Sequence, residues 1–127
     1  MKKRLIIGIV LLFISTTISV ASLATTKVTC DNVITSVDVI ENYILESDNI
    51  SALENAEELA NNWETWYKIL CTYISHDDLE RTEISINAVV TYLTLGDYVS
   101  ALILCEDIKT SANHIYTSEN PGFWNIF

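Results

Sequence analysis

The sequence predicts an all-α protein: an N-terminal transmembrane or signal helix followed by an antiparallel bundle of about four helices. Three observations lead there. The first 26 residues carry charge only at Lys2, Lys3 and Arg4, and the stretch from Leu5 to Thr26 has none. Beyond it, apolar residues recur three and four positions apart, which is the period of a helix with one buried face. The chain has 3 Gly and 1 Pro in 127 residues, too few for the many tight turns of an all-β protein. With 50% hydrophobic residues it is no disordered chain, and its length allows one domain.

The leader, residues 1–26, opens with a strongly apolar core from Leu5 to Ile14 and weakens through Ser15, Thr16 and Thr17 before Ile18 and Val20. A helix needs about 20 apolar residues to cross the hydrocarbon layer, and this run just reaches that length. Basic residues stay on the cytoplasmic side of a membrane, so Lys2, Lys3 and Arg4 set the N-terminus inside and the body outside. Two readings share this orientation. One is an uncleaved signal anchor, making a single-pass membrane protein. The other is a secretory signal peptide cut near Ala24, where Ser22 and Ala24 supply small residues at the required places. A lipoprotein signal is excluded, because Lys27-Val28-Thr29 before Cys30 lacks the apolar and small residues of such a site.

The body, residues 27–120, reads as four helices. The first carries Cys30, Val33, Val37, Ile40 and Ile44 on one face until Ser47, Asp48 and Asn49 break the pattern. It either starts near Cys30 or continues the leader without a break, since residues 21–29 contain no Gly or Pro. The second begins about Ser51 and buries Leu53, Ala56, Ala60, Trp63, Tyr67, Leu70 and Ile74, with Leu59, Trp66 and Tyr73 as a flanking row. The third begins near Asp77, with Ser75 or Asp77 as cap, and buries Leu79, Thr82, Ile86, Val89 and Leu93. Gly96 ends it, because glycine accepts the left-handed conformation common just past a helix. Asp97 caps the fourth, which buries Tyr98, Ala101, Cys105, Ile108, Ala112 and Ile115 and stops at Pro121 and Gly122. Connections of about two to four residues make consecutive helices antiparallel neighbours.

Charge excludes one class of partner. From Lys27 onward there are four basic and seventeen acidic residues, a net −13. Nucleic acid needs a basic face to neutralise phosphates, so no nucleic-acid partner is expected. No Gly-rich phosphate loop, nucleophile elbow or paired His on a helix occurs, and the chain is read as no enzyme, with no cofactor and no metal. Asn49-Ile50-Ser51 fits a glycosylation acceptor, which has meaning only in a eukaryotic secretory host.

Three clusters remain as candidates. His76, Asp77, Asp78 and Glu80 form the densest polar run. A His among carboxylates can ligate a cation or move a proton, but the run has no calcium-loop pattern. Its plain role is a polar helix junction that caps α-helical amides and faces the helix dipole. Trp66 lies off the main buried line and is the aromatic residue best placed for a partner. The C-terminal tail, residues 121–127, ends a very acidic chain on apolar residues. Trp124, Ile126 and Phe127 there either fold back on the bundle or are offered to a partner. Cys30, Cys71 and Cys105 fall on separate helices and fit no zinc spacing. In an antiparallel hairpin Cys30 and Cys71 come within about 7 Å in register, so they are the candidate disulfide, with three free buried thiols as the alternative. The segment from Tyr92 to Leu102 resembles the turn of a tetratricopeptide repeat, but the rest of the repeat and any second copy are missing.

An N-terminal anchor, Trp66, His76 at an acidic helix start, two further helices and a closing Asn125-Ile126-Phe127 together resemble a family of small uncharacterised membrane-anchored proteins of spore-forming Gram-positive bacteria. The family is a domain of unknown function, and the resemblance covers residues 60–127. It implies helices and an envelope location and no reaction. The expectation is a non-enzymatic, membrane-tethered extracytoplasmic helical module that binds another membrane or envelope protein. The alternative is a secreted helical protein that binds a ligand or metal.

Overall fold

A computed structural model describes residues 1–72 and 74–119. It contains four helices: α1 (Lys2–Leu45), α2 (Asn49–Leu70), α3 (His76–Leu95) and α4 (Tyr98–Glu119). The all-α architecture follows the sequence reading. Each helix packs on its neighbours in the chain, and α4 closes back onto α1. Among the described residues α1 and α3, and likewise α2 and α4, are the diagonals of the bundle.

The leader and the first bundle helix are one element. α1 has 44 residues and runs without interruption from the basic start to Leu45, about 66 Å at 1.5 Å per residue. Its two halves meet different surroundings. From Leu5 to Val20 the large apolar side chains are exposed, Phe13 by 74% and Leu12 by 69%. Burial starts at Thr26 and then follows Thr29, Cys30, Val33, Val37, Ile40 and Ile44 down one face. α1 is the one helix among the described residues that is long and apolar enough to cross a membrane. The hydroxyls that dilute the later part of the apolar run do not break it. Thr16, Thr17, Ser19, Ser22 and Thr25 each donate to the carbonyl four residues back, at 2.8–3.0 Å. Polar groups satisfied within the helix are compatible with an apolar surround.

The core is built from the predicted lines, with one rotation. α1 and α3 bury the residues their periodicity assigned, and α4 does so for all but Tyr98, which is half-buried at the edge of the core. In α2 the buried stripe is Ala52, Ala56, Leu59, Trp63 and Leu70, while Leu53, Ala60 and Tyr67 sit at its edge. Leu59 therefore belongs to the core and not to the flank, because the stripe through Ala56, Trp63 and Leu70 is turned toward Ala52 and Leu59 and away from Leu53, Ala60 and Tyr67. α2 also begins two residues earlier than its period implied, with Asp48 Oδ1 accepting from the Ser51 amide at 3.2 Å.

The two turns at the end of the bundle away from the leader are built alike. After α1, Ser47 takes φ 62°, and the Asp48 amide donates to Tyr43 O at 2.9 Å. After α3, Gly96 takes φ 79°, and the Asp97 amide donates to Tyr92 O at 2.9 Å. In each case a left-handed residue closes one helix by a six-to-one bond. The next residue is an Asp that caps the following helix, Asp97 accepting from the Ser100 amide at 3.1 Å. The Ser100 hydroxyl and amide together hold the Asp97 carboxyl below its usual range.

Candidate functional site

The predicted polar junction lies at the opposite end, where α2 passes to α3. Its four residues diverge. His76 opens α3, with its Nδ1 3.5 Å from the Tyr67 hydroxyl of α2. Asp78 faces α4, 3.8 Å from His114 Nε2. Asp77 and Glu80 stay exposed and border a shallow depression with Arg81 and Ile84. Ser75 stands at the cap position, but its side chain makes no capping bond. The junction's contribution to α3 is therefore electrostatic, through Asp77 and Asp78 in the first turn. Among the described residues no group of three or more His, Cys, Asp or Glu side chains could hold a metal ion.

Asp78 belongs instead to a polar cleft of about 200 Å³ between α3 and α4, lined also by Arg81, Asp107, Thr110, Ser111 and His114. Next to it the buried Ser85 hydroxyl donates to Asp107 Oδ2 at 2.7 Å. The apolar lines of α3 and α4 and the acidic start of α3 do not by themselves show this cleft. The cleft was visible as a second stripe: Asp78, Arg81 and Ser85 on α3, and Asp107, Ser111 and His114 on α4, at helical spacings.

Trp66 is half-buried and borders a groove of about 370 Å³ between α1 and α2, with Val28, Thr29, Asn32 and Ile69. The groove sits beside the point where α1 enters the bundle. Trp124, Ile126 and Phe127, with the whole tail 121–127, lie outside the described residues.

All three cysteines are free. The Cys30–Cys71 bond is not formed here, since Cys71 Sγ turns back to the Lys68 carbonyl of its own helix at 3.3 Å. Cys30 and Cys105 are core residues. Burial, and then the Asp31 charge, push the Cys30 thiol up to about 11. Burial, then the Glu41 charge, push Cys105 up to about 12. Neither buried thiol is primed for chemistry, because the thiolate is the reactive form.

The strongest electrostatic feature was not read from the sequence. Lys109 Nζ on α4 lies 2.7 Å from Asp38, 2.8 Å from Glu41 and 3.3 Å from Glu106. This knot ties α4 to α1. Hydrogen bonds donated to Asp38 and then to Glu41 raise the Lys109 ammonium well above its ordinary value. Glu41 is also raised: burial outweighs the pull of Lys109, and its Oε1 is buried with no hydrogen-bond partner. The signal was there as two i,i+3 pairs, Asp38/Glu41 and Glu106/Lys109, but their meeting depends on how α1 and α4 align.

The structure thus defines a four-helix bundle continuous with an apolar N-terminal helix. The chain belongs to the family described as Domain of unknown function (DUF4363), whose model matches residues 20–126. No curated protein and no solved structure matched the chain.

Proposed function

We propose that the chain is a non-enzymatic, membrane-tethered helical module. Its N-terminus is cytoplasmic, its bundle stands outside, and it binds another membrane or envelope protein. The observation that carries this reading is the continuity of α1. An exposed apolar half and a packed half share one unbroken helix, so the bundle is held at a fixed attitude to the bilayer. A linker would instead leave it free. The 24 residues before Thr25 extend about 36 Å, which covers a hydrocarbon layer of about 30 Å. Lys2, Lys3 and Arg4 supply the inside anchor. The groove beside Trp66 then lies at the interfacial level, where Trp side chains are favoured.

Three measurements on living cells and their membranes test this. A C-terminal reporter active only outside the cytoplasm should be active. The intact mass of the membrane-extracted chain should include residues 1–24. A photo-crosslinking amino acid on the bundle surface should capture a discrete membrane or envelope protein. An inactive reporter, or a mature mass beginning after Ala24, would refute the tether. Crosslinks to nothing from any surface position would refute the binding role.

A further inference from the structure

The end of the bundle away from the leader has a composition that core packing does not explain. Each of the four helices leaves one large apolar side chain exposed there: Leu45 (72%), Ile50 (76%), Leu95 (73%) and Val99 (70%). They flank the two tight turns, at residues 46–48 and 96–97, which are too short to cover them. Scattered single apolar residues on a surface need no explanation, but here every helix contributes one at the same end of the bundle.

Charge singles out the same end. The half of the bundle nearest these turns, residues 36–60 and 86–108, holds ten Asp and Glu residues and no Lys, Arg or His. Every cation of the body lies in the other half. The nearest of them is Lys109, already shared among three carboxylates. The tip therefore carries four exposed apolar side chains in an acidic surround where Lys109 is shared by Asp38, Glu41 and Glu106 and the other seven acids have no cation in their half of the bundle.

We propose that this tip is the docking face of the module, and that its occupant is a protein segment with a cationic amphipathic surface, apolar residues meeting the four side chains and Lys or Arg meeting the acidic surround. The proposal rests on the partner-binding reading above and adds the face and the partner's chemistry. Two other occupants are disfavoured by the same charges. A second copy, tip to tip, would bring two strongly acidic fields together, and like-charge juxtaposition is costly. An anionic lipid surface would be repelled for the same reason.

The test uses the full chain in nanodiscs of neutral lipid. Two synthetic helical peptides with the same leucine face serve as probes, one with Lys and one with Glu at the polar positions. Binding is read by fluorescence anisotropy. The Lys peptide should bind, and its affinity should fall as salt is raised. The variant L45S/I50S/L95S/V99S keeps every charge and should lose at least about tenfold in affinity, with unchanged circular dichroism. I84S, which removes an exposed apolar residue elsewhere, should bind as wild type does. Failure of the Lys peptide to bind, equal binding of the Glu peptide, or a quadruple variant within about twofold of wild type overturns the proposal. In cells, a photo-crosslinker at Ile50 should capture the partner. Capture at Trp66 but not at Ile50 overturns the tip and leaves the binding module standing. Capture at neither, nor at any other surface position, overturns both.

Discussion

Replacing Lys109 with Met tests how α1 and α4 are held together. The substitution keeps the aliphatic stem and removes the ammonium that three carboxylates share. Their losses differ. Asp38 is 54% exposed and Glu106 70% exposed, so water replaces the lysine at both. Such exposed pairs contribute about 0–1 kcal/mol each. Glu41 is only 17% exposed, and one of its oxygens already lacks a partner. Without Lys109 it becomes a largely buried, unpaired carboxylate. Breaking a fully buried pair costs about 3–5 kcal/mol. With the residual exposure of Glu41 and the lysine's own desolvation recovered, about 2–3 kcal/mol is expected for K109M. For a body of this size that lowers the midpoint by about 10–20 °C. The assay is thermal unfolding of the full chain followed by circular dichroism. E41L/K109M is the decisive control, since replacing both partners by apolar groups should recover most of the loss. The pH dependence has a definite sign. In K109M only burial and Glu106 act on Glu41, and both raise it. A raised carboxyl takes up a proton in the folded state before the unfolded chain does, so stability rises as pH falls through that range. The deficit should therefore shrink as pH is lowered toward the ordinary carboxylate range. A K109M variant within about 0.5 kcal/mol of wild type, or a double variant no better than the single, would refute the account of the knot.

Three further outcomes follow from the same structure. The buried thiols Cys30 and Cys105, raised to about 11 and about 12, should make the fold sensitive to alkali. Unfolded thiols ionise near pH 8.5–9, so above that the unfolded state binds fewer protons and stability falls by about 2 kcal/mol per thiol by about pH 10.5; urea midpoints at about pH 8 and pH 10.5 should show C30A/C105A with a clearly flatter decline. Ser47 holds φ 62° without being glycine, so S47G should stabilise the bundle by about 0.5–1 kcal/mol in the same unfolding assay. G96A should cost at least about 1 kcal/mol, because φ 79° is strained for alanine although its Cβ would meet open space.

Apolar periodicity made the helices and most of the core legible, for it records which face meets the other helices. Cys30 to Ile44, Leu79 to Leu93 and Ala101 to Ile115 are buried as their spacing requires. Leu59 escaped because two rows of helical spacing, one through Leu53, Ala60 and Tyr67 and one through Ala52 and Leu59, share Ala56, Trp63 and Leu70, and spacing alone does not choose between them. The absence of Gly and Pro in residues 21–29 left the continuity of α1 open, and packing from Thr26 onward shows that the helix persists into the bundle. The polar features were harder to see, since each is assembled from two helices. Asp78 was named as part of a junction, yet its partner is His114, thirty-six residues away. Asp38 and Glu41 look like an ordinary solvated face until α4 brings Lys109 against them. Composition along one helix cannot reveal which residues face each other across two; that depends on register between elements. The charge asymmetry between the two ends is similar. Along the chain acids are spread throughout, and only the alternation of four helices gathers the cation-free stretches at one end.

On the membrane-tethered reading this asymmetry and the stiffness of α1 act together. From Thr26 to Leu45 the helix rises about 29 Å, so the acidic tip stands far beyond the screening length of about 8 Å at physiological ionic strength. The field of anionic headgroups does not reach it, and its own charge acts only on what approaches from the aqueous side. The end nearest the bilayer carries Lys27, Lys68 and Arg81 among its acids and is much closer to neutral, so it can lie near headgroups without strong repulsion. A flexible joint between leader and bundle would let these two ends exchange places. An unbroken α1 forbids that, and so the helix that inserts the protein also decides which end of the bundle a partner meets.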